Sequence, residues 1–214
     1  MPLRHRPFSS DDSATDAPVT DALPTHFAVD LPSWLGDFAS QLPESFSSDE
    51  EAMRWVNEAA RRNHTADTGG PFAAFVVESD SGRLVSVGVN LVLASNLSLA
   101  HAEVVAIGLA HSRLGTWNLR EAGSPAHSLI VNARPCVLCG GAALWSGVSR
   151  IVFGASGEDV ETLTGFDEGP VHPDWVGEMA RRDIEVVGGV LAEECRSVLR
   201  EYGQRDDAVV YNAR

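Results

Sequence analysis

FAAFVVESDSGRLVSVGVN, residues 72–90, is the stretch that decides the fold. Two runs rich in Val, Ala and Phe, residues 72–78 and 83–90, lie on either side of the segment SDSG. Apolar runs that flank a Gly-containing turn in this way are typical of a β-hairpin. The sequence therefore predicts two antiparallel strands at the centre of the chain.

Downstream of the hairpin, strand-like and helical segments alternate. Short β-branched runs predict strands over residues 128–133, 150–155 and 184–190. Apolar residues at helical spacing predict helices over residues 100–115, 135–147, 173–182 and 191–204. In the second of these, Pro135 is expected in the first turn and Gly147 at the end. This order of elements predicts an α/β fold, a three-layer α/β/α sandwich with a mixed five-stranded sheet.

Upstream of the hairpin the sequence divides into three parts. Residues 1–25 are rich in Ser, Asp, Ala, Thr and Pro and predict a disordered tail. Residues 26–47 hold large apolar side chains but also prolines, which favours an extended or short-helical arm lying on the domain. Ser48 and Glu51 have the spacing of a capping box, so the domain is expected to begin with a helix and to occupy residues 48–214.

The charge balance restricts the partners. The net charge is −14, with 30 acidic residues against 16 basic ones, and every basic residue other than histidine is an arginine. Binding to nucleic acid or to an anionic membrane depends on clustered cations, so neither is expected as a partner. A small, uncharged or cationic substrate fits this composition better. No run of about 18 apolar residues is present, so no membrane span is predicted.

The three cysteines do not form the even set of a secreted disulfide framework. Cys136 and Cys139 form one C-x-x-C pair, and Cys195 stands alone in a late amphipathic segment. This usage favours a reducing compartment and hence a cytoplasmic protein. Cys195 is expected to be an ordinary buried thiol. A lone C-x-x-C pair is also compatible with a redox site, a closed zinc site or two core cysteines.

A second motif makes a catalytic metal the preferred interpretation. His101 and Glu103 lie at the start of one predicted helix, and Cys136 and Cys139 lie at the start of another. Two thiolates and one imidazole are three zinc ligands, which leaves a fourth position for water, as in catalytic sites. Glu103 is expected beside that position as a proton carrier. The pair H-x-E and P-C-x-x-C is the known signature of zinc deaminases acting on nucleobases.

Several further segments resemble the cytidine-deaminase superfamily, and within it the bacterial type of guanine deaminase. The segments are GGPFAAFVV (69–77), AHAE (100–103), ARPCVLC (133–139), WSGV (145–148), GFDEGP (165–170) and VVYNAR (209–214). The resemblance covers about residues 48–214, whereas residues 1–45 match no such motif. It implies a cytidine-deaminase-like fold, one Zn²⁺ per subunit, and a homodimer in which the C-terminal segment is exchanged between subunits.

The resemblance also implies roles for individual residues. His101, Cys136 and Cys139 resemble the zinc ligands, and Glu103 resembles the principal proton shuttle. Glu168 resembles a second acid–base carboxylate. The residues that resemble substrate-binding positions are Asn90, which reads the base through its amide, Phe72 and Phe166, which sandwich the base, and Ala102.

The sequence thus predicts a hydrolase acting on C–N bonds in cyclic amidines, with conversion of guanine to xanthine and ammonia as the preferred reaction. The zinc chemistry would be the same for another small base or analogue, such as ammeline or another s-triazine, guanosine or cytosine. A tRNA adenosine deaminase shares the same motifs but is expected to carry a basic strip for nucleic acid. A zinc-stabilised protein without activity would not need Glu103 beside the metal.

Overall fold

The computed structural model describes residues 23–212. Five strands and eight helices are present in this part of the chain. The strands are β1 (Ala73–Glu78), β2 (Leu84–Val89), β3 (His127–Ala133), β4 (Arg150–Ala155) and β5 (Glu185–Gly188). The helices are α1 (Ser33–Ala39), α2 (Asp49–Thr65), α3 (Val92–Ser95), α4 (Ala102–Leu114), α5 (Val137–Ser146), α6 (Gly157–Thr164), α7 (Trp175–Ala180) and α8 (Ala192–Gly203).

The sheet is mixed and follows the order β2-β1-β3-β4-β5. Strand β1 pairs antiparallel with β2 and β3, and the pairs β3–β4 and β4–β5 are parallel. The hairpin predicted from residues 72–90 is therefore the antiparallel edge of the sheet. The mixed five-stranded sheet predicted from the alternation is confirmed.

Helices cover both faces of the sheet and give it two apolar layers. Alternate residues of β1 serve the two layers, because successive side chains of a strand point to opposite faces. Phe75 belongs to the apolar cluster that α2 and α8 form on one face, and Val76 belongs to the cluster that α4 and α5 form on the other. The predicted three-layer sandwich is therefore confirmed.

Helix α4 lies unusually close to β2, and this contact fixes its first turn. A Cβ atom on Gly88 would come within 2.3 Å of the Ala102 carbonyl oxygen and 2.4 Å of the Ala106 nitrogen. The hydroxyl of Ser86 also donates a hydrogen bond of 2.7 Å to the Ala106 carbonyl. Only glycine at position 88 allows this approach, and the approach places the start of α4 at the end of the sheet.

Two helix starts differ in detail from the sequence prediction. Helix α5 begins at Val137 with Cys136 as its N-cap, so Pro135 precedes the helix rather than occupying its first turn. At α2, Ser48 accepts a hydrogen bond from the Glu51 backbone, as a capping box requires. The Glu51 carboxylate, however, accepts hydrogen bonds of 2.7 and 2.6 Å from the backbone N–H and the hydroxyl of Ser47, one residue before the N-cap. The second half of the capping box is therefore displaced by one residue.

Part of the region that precedes the family-like motifs belongs to the core. Residues 1–22 of the predicted tail lie outside the described residues. Within residues 26–47, Phe38 of α1 is fully buried, with Trp34 and Trp55 edge-on to its ring at 5.9 Å and the Arg62 guanidinium 5.0 Å above it. The longest described helix has 17 residues, and none of the described helices is both long and apolar enough to span a membrane.

Candidate active site

Two helix starts bring the three predicted metal ligands together. His101 is the N-cap of α4, Cys136 is the N-cap of α5, and Cys139 lies in the first turn of α5. The Nδ1 atom of His101 lies 3.6 Å from the Cys136 sulfur and 3.5 Å from the Cys139 sulfur. The three donor atoms all lie within 4.8 Å of one another. Among residues 23–212, these three side chains form the cluster that could hold a metal ion.

These separations are those of a metal site. Zinc bonds to sulfur at about 2.3 Å and to nitrogen at about 2.0 Å, so two such ligands in a tetrahedron lie roughly 3.5 Å apart. The observed nitrogen–sulfur distances match this spacing without any movement of the chain. The donor set therefore fits zinc, with one coordination position left for a further ligand.

The two thiols differ strongly in acidity. A hydrogen bond from Cys139, together with His101, lowers the pKa of the Cys136 thiol to about 4. The hydrogen bond to the Cys136 sulfur and complete burial raise the pKa of Cys139 well above its usual range. One thiolate is thus already present at neutral pH, and metal binding would displace the proton of the second thiol.

Glu103 is buried beside this cluster. Its side chain is 6% exposed, and burial, followed by the negative charge of Cys136, raises the pKa of its carboxyl. A carboxyl with a raised pKa can both accept and release a proton near neutral pH. This is the environment that a general acid–base residue requires.

The cluster opens into a cavity of about 380 Å³, within the size range of small-ligand sites. Most of its wall comes from loops, and the final residues of the described chain close it. It is lined by Phe72, Asn90, Val92, Ser98, His101, Glu103, Ala133, Arg134, Cys136, Val137, Leu138, Phe166, Asp167, Glu168, Gly169, Tyr211 and Asn212. Seven of the nine predicted site residues line this cavity. The eighth, Cys139, lies beside it and contacts His101 through its sulfur.

Ala102 is the exception among the predicted site residues. Its side chain is fully buried in the apolar layer between α4 and the sheet, and it does not line the cavity. A contact with a ligand could come only from its backbone. Its predicted part in substrate binding stays a prediction.

Three aromatic rings form one side of the cavity. The Phe72 and Phe166 centroids lie 5.4 Å apart at an angle of 59°, and the Tyr211 centroid lies 4.5 Å from Phe166. Because Phe72 and Phe166 contact each other at a steep angle, they leave no parallel-sided slot between them. A base would lie against this aromatic wall, and the predicted sandwich would require the two rings to separate.

Glu168 places a buried carboxyl group in the wall of the cavity. Burial and the charge of Cys136 raise the pKa of Glu168 to about 8, although Arg134 opposes the shift. The Arg134 guanidinium lies 3.6 Å from Glu168 Oε2, beyond hydrogen-bond distance, and this oxygen has no hydrogen-bond partner among the described residues. Glu168 is therefore mostly protonated at neutral pH and free to bind a ligand.

Asn90 lies at the end of β2 and is 1% exposed. Its Oδ1 accepts two long contacts, each of 3.4 Å, from the backbone N–H groups of Gly70 and Val92. Contacts of this length hold the amide weakly, so that a ligand can displace them. The position and the loose contacts are compatible with the predicted role in reading a base.

The C-terminal segment closes the cavity of its own chain in this structure. Asn212 donates a hydrogen bond to the Gly165 carbonyl and accepts one from the Asp167 backbone. The hydroxyl of Tyr211 is buried without a hydrogen-bond partner among the described residues. The sequence motif pointed to this segment without singling out Tyr211 or Arg134, and exchange of the segment between subunits stays a prediction.

The comparison with protein families gives a clear result. Residues 46–155, about half of the chain, match the model of the "cytidine and deoxycytidylate deaminase zinc-binding region". The chain belongs to this family. The zinc-binding deaminase domain carries the cluster of His101, Cys136 and Cys139, and the predicted zinc cofactor and hydrolase class are confirmed.

Solved structures of similar proteins extend the match beyond the zinc region. Guanine deaminase from Nitrosomonas europaea is 40% identical, with a TM-score of 0.81, over 86% of this deaminase and 100% of that chain. A protein named NE0047, solved in complex with 2,6-diaminopurine, is 43% identical with a TM-score of 0.80, over 87% of this chain and 96% of that one. The predicted cytidine-deaminase-like fold is thereby confirmed.

Curated relatives add a second kind of deaminase. The tRNA-specific adenosine deaminase of Haemophilus influenzae is 31% identical over 73% of this chain and 84% of its own length. That of Bacillus subtilis is 32% identical over 69% and 86%, respectively. The names of these relatives thus share deamination and differ in the substrate.

Proposed function

We propose that this deaminase hydrolyses guanine to xanthine and ammonia. The observation that carries the proposal is the similarity to the Nitrosomonas europaea guanine deaminase, which spans the whole of that chain at 40% identity. Structures of NE0047 variants with 8-azaguanine are also similar to this chain. 8-Azaguanine shares its amino-bearing six-membered ring with guanine, and 2,6-diaminopurine shares the 2-amino group.

The cavity supports a substrate of this kind. A volume of about 380 Å³ accommodates one base, with the aromatic rings against its face. Two buried polar atoms, Glu168 Oε2 and the Tyr211 hydroxyl, lack partners among residues 23–212 and would be satisfied by a polar ligand edge. The Asn90 amide offers both a donor and an acceptor to the same edge.

The proton transfers are assigned to two carboxyl groups. When bound, zinc supplies Lewis-acid chemistry that activates a water molecule as the nucleophile at neutral pH. Glu103 takes a proton from the attacking water and delivers it to the ring nitrogen next to the amino-bearing carbon. It then takes the second proton and passes it to the amino group, because an amide anion is too basic to leave.

Glu168 assists at the leaving group. Since its pKa is about 8, it carries a proton at pH 7 and can donate it to the released ammonia, which then leaves as ammonium. The carboxylate takes up a proton from solvent before the next turnover. The Arg134 guanidinium at 3.6 Å stabilises the carboxylate that remains. A homodimer, as the resemblance implies, is proposed as the working form.

Deamination of adenosine in tRNA is the second candidate, because the curated relatives carry out that reaction according to their names. Two observations favour the small base instead. The first is the net charge of −14 with no lysine. The second is that Tyr211 and Asn212 of the C-terminal segment line the cavity, where a polynucleotide would need an open groove.

Release of ammonia from a substrate panel tests the proposal. The panel contains guanine, guanosine, adenine, cytosine, ammeline and a tRNA with adenosine at the wobble position, each with a chelator control. We expect guanine to have the highest kcat/KM and the chelator to abolish its turnover. Turnover of tRNA above that of guanine would establish the second candidate.

A further inference from the structure

The loop that presents the substrate-facing amide is held by a buried asparagine from α2. Asn63 is fully buried, and its Nδ2 donates hydrogen bonds of 2.9 Å to the Gly70 carbonyl and 2.8 Å to the Asn90 carbonyl. Both donors of the amide are therefore used. They connect the backbone at Gly70 with the backbone at Asn90, which lines the cavity.

Thr68 fixes the orientation of that amide. Its hydroxyl lies within hydrogen-bond distance of two acceptors on Asn63, Oδ1 at 2.8 Å and the backbone carbonyl at 3.0 Å. The oxygen of the amide therefore faces Thr68, and the nitrogen faces the two carbonyls of Gly70 and Asn90. The opposite orientation would place the amide oxygen against two carbonyl oxygens and is excluded. The three hydrogen bonds of the Asn63 side chain thus all require the same orientation of its amide.

The chain of hydrogen bonds begins in the N-terminal arm, residues 26–47. The indole Nε1 of Trp34 donates to the Thr68 hydroxyl at 3.1 Å. Trp34 is held in place by its edge-on contact with Phe38, the fully buried residue of α1. The relay therefore runs from the arm to the cavity, and it consists of Trp34, Thr68, Asn63 and Asn90.

The packing around this relay leaves no room for a looser arrangement. A Cβ atom on Gly69 would come within 1.9 Å of the Asn90 carbonyl oxygen and 2.7 Å of Asn63 Nδ2. The loop can thus approach Asn63 only with glycine at this position. Close packing on both sides means that a change at Thr68 or Asn63 is transmitted to the Asn90 backbone rather than absorbed.

We propose that Asn63 is a positioning residue for the Asn90 amide, and that Trp34 of the N-terminal arm supports it through Thr68. The proposal rests on the proposed function, in which Asn90 reads the base. It assigns a role to Trp34 of the arm, which lies outside the zinc-region match of residues 46–155. Truncation of the arm would therefore affect substrate binding as well as stability.

Thr68→Val tests the relay with the least disturbance, since it removes the hydroxyl and keeps the shape. Loss of one buried hydrogen bond is worth about 1 kcal/mol, so we expect kcat/KM for guanine to fall about fivefold, mainly through KM. Thr68→Ser keeps the hydroxyl and should restore most of the loss. Trp34→Phe should lower kcat/KM about twofold, and Trp55→Phe, which alters the same aromatic cluster outside the relay, should leave it unchanged.

A double-mutant cycle separates positioning from general destabilisation. In the background of Asn90→Ala, the further change Thr68→Val should have no effect on kcat/KM, because the group that it positions is gone. Equal effects of Thr68→Val in both backgrounds would overturn the proposal. An unchanged KM in the Thr68→Val single variant would overturn it as well.

Hydrogen exchange gives a readout that does not depend on the substrate. Thr68→Val and Trp34→Phe should speed amide exchange in residues 69–72 and 90–92, whereas Trp55→Phe should not. If the wild type fails to deaminate guanine, the proposed function is wrong and the exchange data still decide on the relay. Unchanged exchange in both relay variants would overturn the relay whatever the substrate.

Discussion

The two ends of the cavity are built in different ways. At the metal end, His101, Glu103, Cys136 and Cys139 all lie at the starts of α4 and α5, which pack on the sheet. At the opposite wall, the substrate-facing groups come from three loops and the C-terminal segment, over residues 70–212. Under the proposed function, the metal end sets the reaction and the wall selects the substrate.

This difference explains the pattern among the relatives. The chain carries the zinc-binding region and is similar both to a guanine deaminase and to tRNA-specific adenosine deaminases. The similarity to the guanine deaminase covers 86% of this chain and therefore extends beyond the zinc region. Changes at the metal end should therefore abolish turnover of every substrate, and changes at the wall should alter substrate affinity and preference.

The largest effect is expected from loss of a metal ligand. Cys139→Ser should remove zinc and reduce ammonia release to background, because a hydroxyl is a much poorer zinc ligand than a thiolate. Metal content by atomic emission measures the loss. Cys195→Ser is the matched control, since that thiol is buried in α8 away from the cavity, and it should keep its zinc. Full zinc in Cys139→Ser would remove Cys139 from the ligand set.

Glu103→Gln should have the next largest effect. The amide keeps the size of the side chain but cannot carry a proton, so kcat should fall by about 10²–10⁴. Zinc content and KM should remain near the wild-type values, because the change touches neither the ligands nor the wall. A rate close to that of the wild type would contradict the assignment of Glu103 as proton carrier.

Glu168→Gln tests the acid at the wall through the pH profile. Glu168 is protonated below about pH 8, so turnover should decline as the pH rises and the carboxyl loses the proton that it donates. Bound zinc would offset the charge of Cys136 and shift this decline to lower pH. The variant should lose about 10²-fold in kcat at pH 7 and lack the decline. The same alkaline decline in Glu168→Gln would assign it to another group.

The smallest effect concerns the C-terminal segment. Tyr211→Ala removes one ring of the aromatic wall and should raise KM for guanine by about threefold to tenfold, with kcat little changed.

Mixing this variant with Glu103→Gln chains tests the predicted exchange of the C-terminal segment between subunits. Closure by the same chain, as in this structure, predicts that the raised KM of Tyr211→Ala is unchanged on mixing. A return of KM to the wild-type value would show that Tyr211 acts in the partner's site.

Much of the metal end could be predicted from the sequence. The spacing of His101 and Glu103 and of Cys136 and Cys139 is a local property, and each pair lies on a single helix start. Local periodicity likewise predicted all five strands. The wall depends on contacts between distant segments, such as Phe166 with Phe72 and with Tyr211, and no local pattern specifies those distances.

The buried relay illustrates the same limit. Asn63 and Thr68 look like ordinary polar residues at the end of a helix, and Trp34 lies in a region without a family motif. Their link appears only when α1, α2 and the loop at residues 68–70 are brought together. Short helices such as α1 and α3, with seven and four residues, are also too brief for periodicity to predict.

The most direct test compares xanthine formation from guanine by the zinc-loaded wild type and by Asn90→Ala, with matched zinc content. We predict that the wild type forms xanthine and ammonia in equal amounts, and that Asn90→Ala loses kcat/KM chiefly through KM while it retains its zinc. A wild type that forms no xanthine, or an Asn90→Ala variant with unchanged kinetics on guanine, would contradict the account.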